Sequence, residues 1–244
     1  MRRIVSAIAL CLLIHQSAFA TWSIVAVDKS TGQIVVASAT CLQQRVFPQL
    51  GAKDLRDIQA VVIPGKGAAV CQASIDATRK NQQLVFAELE KGTDPAKIME
   101  LLRNQDSAFE SRQFGILDMQ GRSIGFSGMT NLPVALSTSG SVGANIFYQI
   151  QGNILASETV VRDAARALAQ ARGTLADRVM AAMEAADAAG GDRRCSGGKT
   201  AYVAYLLAVE KDGKSVYLSV TDQDIKPNES TNPVKTLRMR YDSR

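Results

Sequence analysis

The sequence predicts an α+β fold in which a sandwich of two sheets is covered by helical layers. Two observations carry this expectation. The elements come grouped, as a hairpin, further strands, two helices, strands, two helices and a closing hairpin, and not in the βαβ alternation of a parallel sheet. The chain has 244 residues, 46% of them hydrophobic, which is enough for a substantial core. No interior apolar run approaches the roughly 20 residues of a membrane span.

The elements follow in order. Arg2 and Arg3, the apolar stretch Ile4 to Ile14 and the small residues of Ala18-Phe19-Ala20 have the pattern of a secretory leader. Residues 1–20 are therefore expected to be removed, giving a periplasmic or secreted protein that begins at Thr21. Trp22 to Val27 and Gln33 to Ser38 are β-rich runs either side of Asp28-Lys29-Ser30-Thr31-Gly32, which reads as a hairpin. Short strands are expected at Ile58 to Ile63 and Gly67 to Cys71, broken at Pro64-Gly65.

Ile75, Leu84, Val85 and Leu89 then recur at helical spacing until Lys91-Gly92, and Asp94-Pro95 opens a second helix with Ile98, Leu101 and Leu102 on one face. Arg112 to Met119 and Ser123 to Phe126 form another hairpin. Residues 127–143 are Ser- and Gly-rich, expected as loops and short strands along a sheet edge. Ser157 can cap a helix through Val160, Val161, Ala164 and Leu168, ended by Gly173, and Thr174 with Asp177 resembles a capping box for an Ala-rich helix to about Ala189. Ala201 to Val209 and Ser215 to Val220 close the domain, expected to span residues 21–223. Residues 224–244, with Pro227, Pro233 and the basic Lys235, Arg238, Arg240 and Arg244, read as a solvated C-terminal surface arm.

Composition excludes several chemistries. The only histidine is His15, inside the leader, so the exported protein has none for a Ser-His-Asp triad, a Cys-His pair or a histidine-ligated zinc. The net charge of +5 includes Arg2 and Arg3, leaving a mild +3, and 5% aromatic residues give few stacking platforms, so no nucleic-acid partner is expected. Cys41, Cys71 and Cys195 remain after cleavage; in an oxidising compartment one pair can form a disulfide, and the spacing does not choose which. No metal or other cofactor is expected. A nucleophilic design that survives is an N-terminal Thr, whose own α-amine, with a pKa of roughly 7.7 to 8.0, can take the hydroxyl proton.

Four segments carry a family resemblance: Thr21-Trp22-Ser23-Ile24-Val25-Ala26, Phe126-Ser127-Gly128, Gln151-Gly152-Asn153-Ile154-Leu155-Ala156 and Gly190-Gly191-Asp192-Arg193-Arg194. In the same order they resemble the bacterial and archaeal family catalogued as domain of unknown function 1028, grouped with the N-terminal nucleophile (Ntn) hydrolases. The resemblance implies a four-layer αββα sandwich and names no substrate. The chain departs from the pattern at Cys195, where Gly is usual. Against proteasome-type members it has Ser38 where an acid stands after the second strand, and no Lys clearly placed beside the nucleophile.

The expected function is an exported Ntn-type amidohydrolase acting on a small-molecule or peptide amide through an acyl-enzyme on Thr21. Its alternative is a non-catalytic periplasmic ligand-binding or accessory protein on the same fold, and a homo-oligomer is compatible with either. Asn153 is the expected oxyanion donor, and equally reads as a turn or cap residue. Gln72, just after a predicted strand, could bind the substrate amide or serve as a polar helix-entry residue. Asp192 and Arg193 could form an ion pair that orients the amine or clamps a substrate carboxylate, or be loop residues in solvent. Ser127 could line the site or close a turn.

Overall fold

The computed structural model describes residues 21–131 and 133–244; the expected leader, residues 1–20, lies outside them. The chain forms a mixed α+β fold with two antiparallel sheets. In chain order the elements are β1 (Thr21–Asp28), β2 (Gln33–Thr40), α1 (Leu55–Gln59), β3 (Ala60–Ile63), β4 (Gly67–Ala73), α2 (Lys80–Lys91), α3 (Pro95–Gln105), β5 (Arg112–Asp118), β6 (Ser123–Ser127), β7 (Ala135–Val142), β8 (Ile146–Asn153), α4 (Thr159–Gln170), α5 (Leu175–Ala188), β9 (Val203–Val209), β10 (Ser215–Val220) and α6 (Pro233–Asp242). The larger sheet runs β10-β9-β2-β1-β8-β7 and the smaller β3-β4-β5-β6. Their inner faces meet, α4, α5 and α6 cover the outer face of the larger sheet, and α2 and α3 cover that of the smaller.

Strand alternation explains this layering. In β1, Trp22, Ile24 and Ala26 point to α4 and α5, where Val161, Ala164, Leu168, Val179 and Met183 complete a core, while Val25 and Val27 point between the sheets. Every other residue of this strand thus belongs to a different core, which is why its run is apolar on both faces. The turn to β2 is set by Asp28, whose carboxylate accepts from the backbone N–H and hydroxyl of Ser30, and by Gly32 at φ +79°. A fully buried Leu or Ile in these cores contributes about 1.5–3 kcal/mol.

The space between the sheets has two characters. At one end Val25, Ile34, Val36, Phe47, Leu55, Val70, Tyr205 and Leu207 form an aliphatic and aromatic core. At the other, Thr21, Ser23, Gln72, Gln113, Gln149, Gln151 and Asn153 are buried polar residues. Gly115 and Gly125, paired across β5 and β6, make room for this polar end: a Cβ on Gly115 would lie 2.7 Å from Gln151 Oε1 and 3.0 Å from Gln149 Cγ. A larger residue at that position would push the sheets apart.

The signals at α2, α3 and α5 behave as their chemistry requires, whereas α4 is entered at Glu158 and not at the expected Ser157, and stops at Gln170, before Gly173. The Asp94 carboxylate accepts from Ala96 N with Pro95 behind it, and Thr174 and Asp177 form a reciprocal capping box. Gly92 ends α2 in the left-handed region at φ +80°. Two expectations are corrected. Within the stretch expected as loops and short strands, Ala135–Val142 form the full-length edge strand β7, whose Ser137 meets Gln149 and whose Ser139 and Ser141 are exposed, so that it lacks an apolar alternation. The C-terminal segment is not a surface arm: Asn232 caps α6 by accepting from Val234 N and Lys235 N, and Val234, Leu237 and Tyr241 are buried against the outer face of the larger sheet. Two of its basic residues are held in ion pairs, Arg238 with Glu184 and Asp242, and Arg240 with Glu229 and Asp224.

Candidate active site

Thr21 opens β1, a central strand with β2 on one side and β8 on the other. Counting outward from the turn pair Asp28 and Gln33 brings Thr21 opposite Thr40, and the other neighbour sets it opposite Asn153. The Thr21 hydroxyl donates to Thr40 Oγ1 at 3.2 Å, and Thr40 Oγ1 also accepts from Leu42 N at 3.2 Å. Thr21 is 2% exposed and Asn153 is fully buried on the same inter-sheet face as Gln149 and Gln151.

Beneath Thr21 runs a chain of buried amides joining both sheets. Gln72 Nε2 donates to Thr21 O at 3.1 Å and to Gln113 Oε1 at 2.6 Å, while Gln72 Oε1 accepts from Ser23 Oγ and Gln59 Nε2, each at 2.7 Å. Gln113 Nε2 then donates to Ser127 Oγ at 2.6 Å and to Gly152 O at 2.8 Å. The far end is Tyr205, whose hydroxyl donates to Gln59 Oε1 at 3.2 Å. Both strands that carry Thr21 and Asn153 are thereby fixed to β4 and β5 by hydrogen bonds in a low-dielectric interior, where each is costly to break.

Backbone strain sits beside the same residues. Ala73 follows Gln72 at φ +72° and Ile154 follows Asn153 at φ +51°. Positive φ is uncommon for non-glycine residues and an outlier for a β-branched one, at a cost on the order of 1–3 kcal/mol. These residues end β4 and β8 abruptly: Ala73 is itself the last ladder residue of β4, directly after Gln72, and Asn153 is the last of β8. Gln151, next in line on β8, is fully buried with no partner for either end of its amide among the described residues.

The third component is the loop after α5. Asp192 is 1% exposed; its carboxylate accepts from Cys41 N at 2.8 Å and pairs with Arg194 Nη2 at 2.9 Å. Cys41, which directly follows Thr40, forms a disulfide with Cys195 of this loop. Thr200 Oγ1 donates to Asp187, which also accepts from Asn232 Nδ2 at 2.9 Å. The segment is thus tied to the head of the larger sheet from several directions.

A cleft lined by Thr21, Leu42, Leu55, Ile58, Gln72 and Ile75 among others opens beside the nucleophile candidate, with a volume of about 10 Å³ and no charged side chain in its wall. Burial pushes the Cys71 thiol, also in that wall, up to about 12. Among the described residues no group of three or more His, Cys, Asp or Glu side chains could hold a metal ion, and no helix is long and apolar enough to cross a membrane.

Against this geometry stands the profile of a protein family described as a family of unknown function, DUF1028, which matches residues 21–237. The chain belongs to the DUF1028 family. Among solved structures, the crystal structure of SPO2555 from Silicibacter pomeroyi, a DUF1028 protein, is similar with a TM-score of 0.70 at 24% identity, over 92% of this chain and 88% of that one. At that identity the likeness speaks to the fold. No curated protein matches the chain.

The DUF1028 fold brings together most residues singled out in the sequence, with changes of role. Thr21, Asn153, Gln72 and Ser127 converge at one end of the inter-sheet space. Gln72 does not offer a free amide: Thr21, Ser23, Gln59 and Gln113 already occupy it. Ser127 closes the same chain as an acceptor from Gln113. The expected Asp192–Arg193 pair is replaced by Asp192–Arg194, because Arg193 faces solvent while its own N–H donates to Ile154 O at 3.3 Å. Ser38 is buried with its hydroxyl donating to Trp22 O at 2.7 Å. Thr40, Ser23, Gln59, Gln113 and Gln151 were not singled out. Thr40 could have been found by counting from the turn; the glutamines depend on how the two sheets meet, which no local pattern reports.

Proposed function

We propose that this DUF1028 chain is an exported amidohydrolase of the N-terminal nucleophile type, on a four-layer αββα sandwich, acting through Thr21 once residues 1–20 are removed. The observation that carries the proposal is the position of Thr21: first residue of a central strand, hydroxyl held by Thr40, side chain on the inter-sheet face. The family match also begins at Thr21.

In this reading, cleavage before Thr21 converts its amide nitrogen into a free amine with a pKa near neutrality. The amine takes the hydroxyl proton as Oγ1 attacks the substrate carbonyl carbon. Asn153, opposite Thr21, supplies a neutral donor for the developing oxyanion. Collapse breaks the C–N bond, the leaving nitrogen takes the proton from the amine, and an ester on Thr21 remains. Water, deprotonated by the same amine, hydrolyses the ester and restores the residue. Asp192 holds the loop beside Cys41, and Arg193, exposed on that loop, is the cation offered to a substrate carboxylate.

A second reading, a ligand-binding or accessory protein without turnover, is favoured by one observation: Ser38 stands where proteasome-type enzymes carry an acid, and its hydroxyl is engaged by Trp22 O. The two are separated by sequencing the N-terminus of exported protein and treating it with an amide-directed electrophile. The enzyme reading expects an N-terminus at Thr21, one label per chain on that residue, and none on a folded Thr21→Ala variant. Turnover retained in Thr21→Ala, or an active protein with any residue ahead of Thr21, rejects it. Ligand-dependent thermal stabilisation equal in wild type and Thr21→Ala supports the second.

A further inference from the structure

The cleft beside Thr21 constrains what the enzyme could accept. Its aliphatic wall is Leu42, Leu55, Ile58 and Ile75, and its polar groups include the Gln59 and Gln72 amides. Those amides are engaged with Tyr205, with each other and with Thr21, Ser23 and Gln113, so little hydrogen-bonding capacity is left for a guest. No charged side chain lines the cleft, and its volume is about 10 Å³, room for one group near the size of a water or methyl. Leu42, Leu55 and Ile58 are 7%, 2% and 5% exposed, so the wall is part of the packed core and does not yield cheaply.

We propose that this cleft receives the side group carried on the acyl side of the scissile amide and that this group is small and uncharged, the size of the methyl of an acetyl group or of an alanine side chain. The inference rests on the reading of Thr21 as nucleophile. Oγ1 bonds to the carbonyl carbon, so the group on that carbon lies within one bond of the attack point and falls into whatever hollow adjoins Thr21. The acyl part stays covalently bound through the second half-reaction, whereas the leaving amine must exit. A small hollow suits the part that stays. A charged substituent would be buried there without a partner, and a long one would overlap the wall.

The test uses exported protein whose N-terminus is confirmed as Thr21 and a panel of peptide epoxyketones, which require both the hydroxyl and the free amine of an N-terminal nucleophile. The residue next to the electrophile is Ala, Leu, Phe, Lys or Asp, and labelling rates are read by intact mass. The Ala probe is expected to label at least about 10-fold faster than Leu, with Phe, Lys and Asp slower still. Ile75→Ala, at a half-buried wall position, is expected to narrow the Ala-to-Leu ratio severalfold, and Leu55→Ala provides a second enlargement. Equal rates across the panel overturn the cleft assignment and leave the nucleophile in place. No labelling by any probe overturns both.

Discussion

Removing the Cys41–Cys195 disulfide tests how the loop after α5 is held. The two cysteines are 154 residues apart in sequence. A closed loop of that length restricts the unfolded chain by about 5 kcal/mol in the chain-entropy description, and measured losses on removing a native disulfide run about 2–5 kcal/mol. In the folded protein the loop has other anchors: Asp192 on Cys41 N and on Arg194, and Thr200 on Asp187. A Cys41→Ser/Cys195→Ser variant should therefore keep its fold and lose stability through the unfolded state. The expected loss of about 3–5 kcal/mol corresponds to a Tm lower by roughly 6–20 °C for a domain of this size. Urea unfolding followed by circular dichroism measures it, with the slope m expected to rise because the unlinked chain exposes more surface. A loss below about 1 kcal/mol with unchanged m would refute the reasoning.

Two further outcomes are expected. Gln113→Leu removes an acceptor from Gln72 Nε2 and a donor from Gly152 O and Ser127 Oγ. Leaving such buried groups unpaired should cost about 2–4 kcal/mol by thermal or urea unfolding, against under about 1 kcal/mol for Ser127→Ala; equal effects would contradict the amide chain as a joint between sheets. For Cys71, whose folded pKa is pushed from 9.0 to about 12 by burial, the thiol ionises in the unfolded chain first. Its contribution to stability is complete below pH 9 and is lost as pH rises towards 12, so the stability difference between wild type and Cys71→Ala should shrink over that window. Native protein at pH 8 should react with iodoacetamide at the half-buried Cys71 more slowly than the urea-unfolded chain, and equal rates would contradict the upward shift.

Much of the fold was legible where chemistry is local. The Asp28 to Gly32 turn, the Asp94-Pro95 start of α3, the Thr174 to Asp177 capping box and the Asp212-Gly213 turn between β9 and β10 are all written in adjacent residues. β7 was not legible because strand alternation advertises itself only against an apolar partner, and on this edge strand Ser137 meets Gln149 while Ser139 and Ser141 are exposed. The helix α6 carried its signals, Asn232 before Pro233 and Val234, Leu237 and Tyr241 at helical spacing, but its four basic side chains suggested solvent. Three of them are instead matched, Arg238 and Arg240 by acids and Arg244 by Tyr241, over which its guanidinium lies 3.7 Å from the ring centre, while Lys235 does face solvent. At the candidate site, Thr21 and Asn153 were visible as residues. The choice of Arg194 over Arg193 and of Cys41 with Cys195 was not, since each depends on side-chain direction in a loop or on partners more than a hundred residues apart.

The flanking of β1 by β2 and β8 also bears on how the polypeptide acquires its shape. Thr21 meets Thr40 early, but Asn153 comes only after more than half of the chain has emerged, and α4 and α5, which cover Trp22 and Ile24, later still. A nascent chain therefore holds a ribbon apolar on both surfaces, with an open edge, for most of its synthesis. Pairings between such distant segments form slowly and leave that edge open to the wrong neighbour. Pairing of Thr21 with Asn153 is accordingly a late event in the folding of the chain.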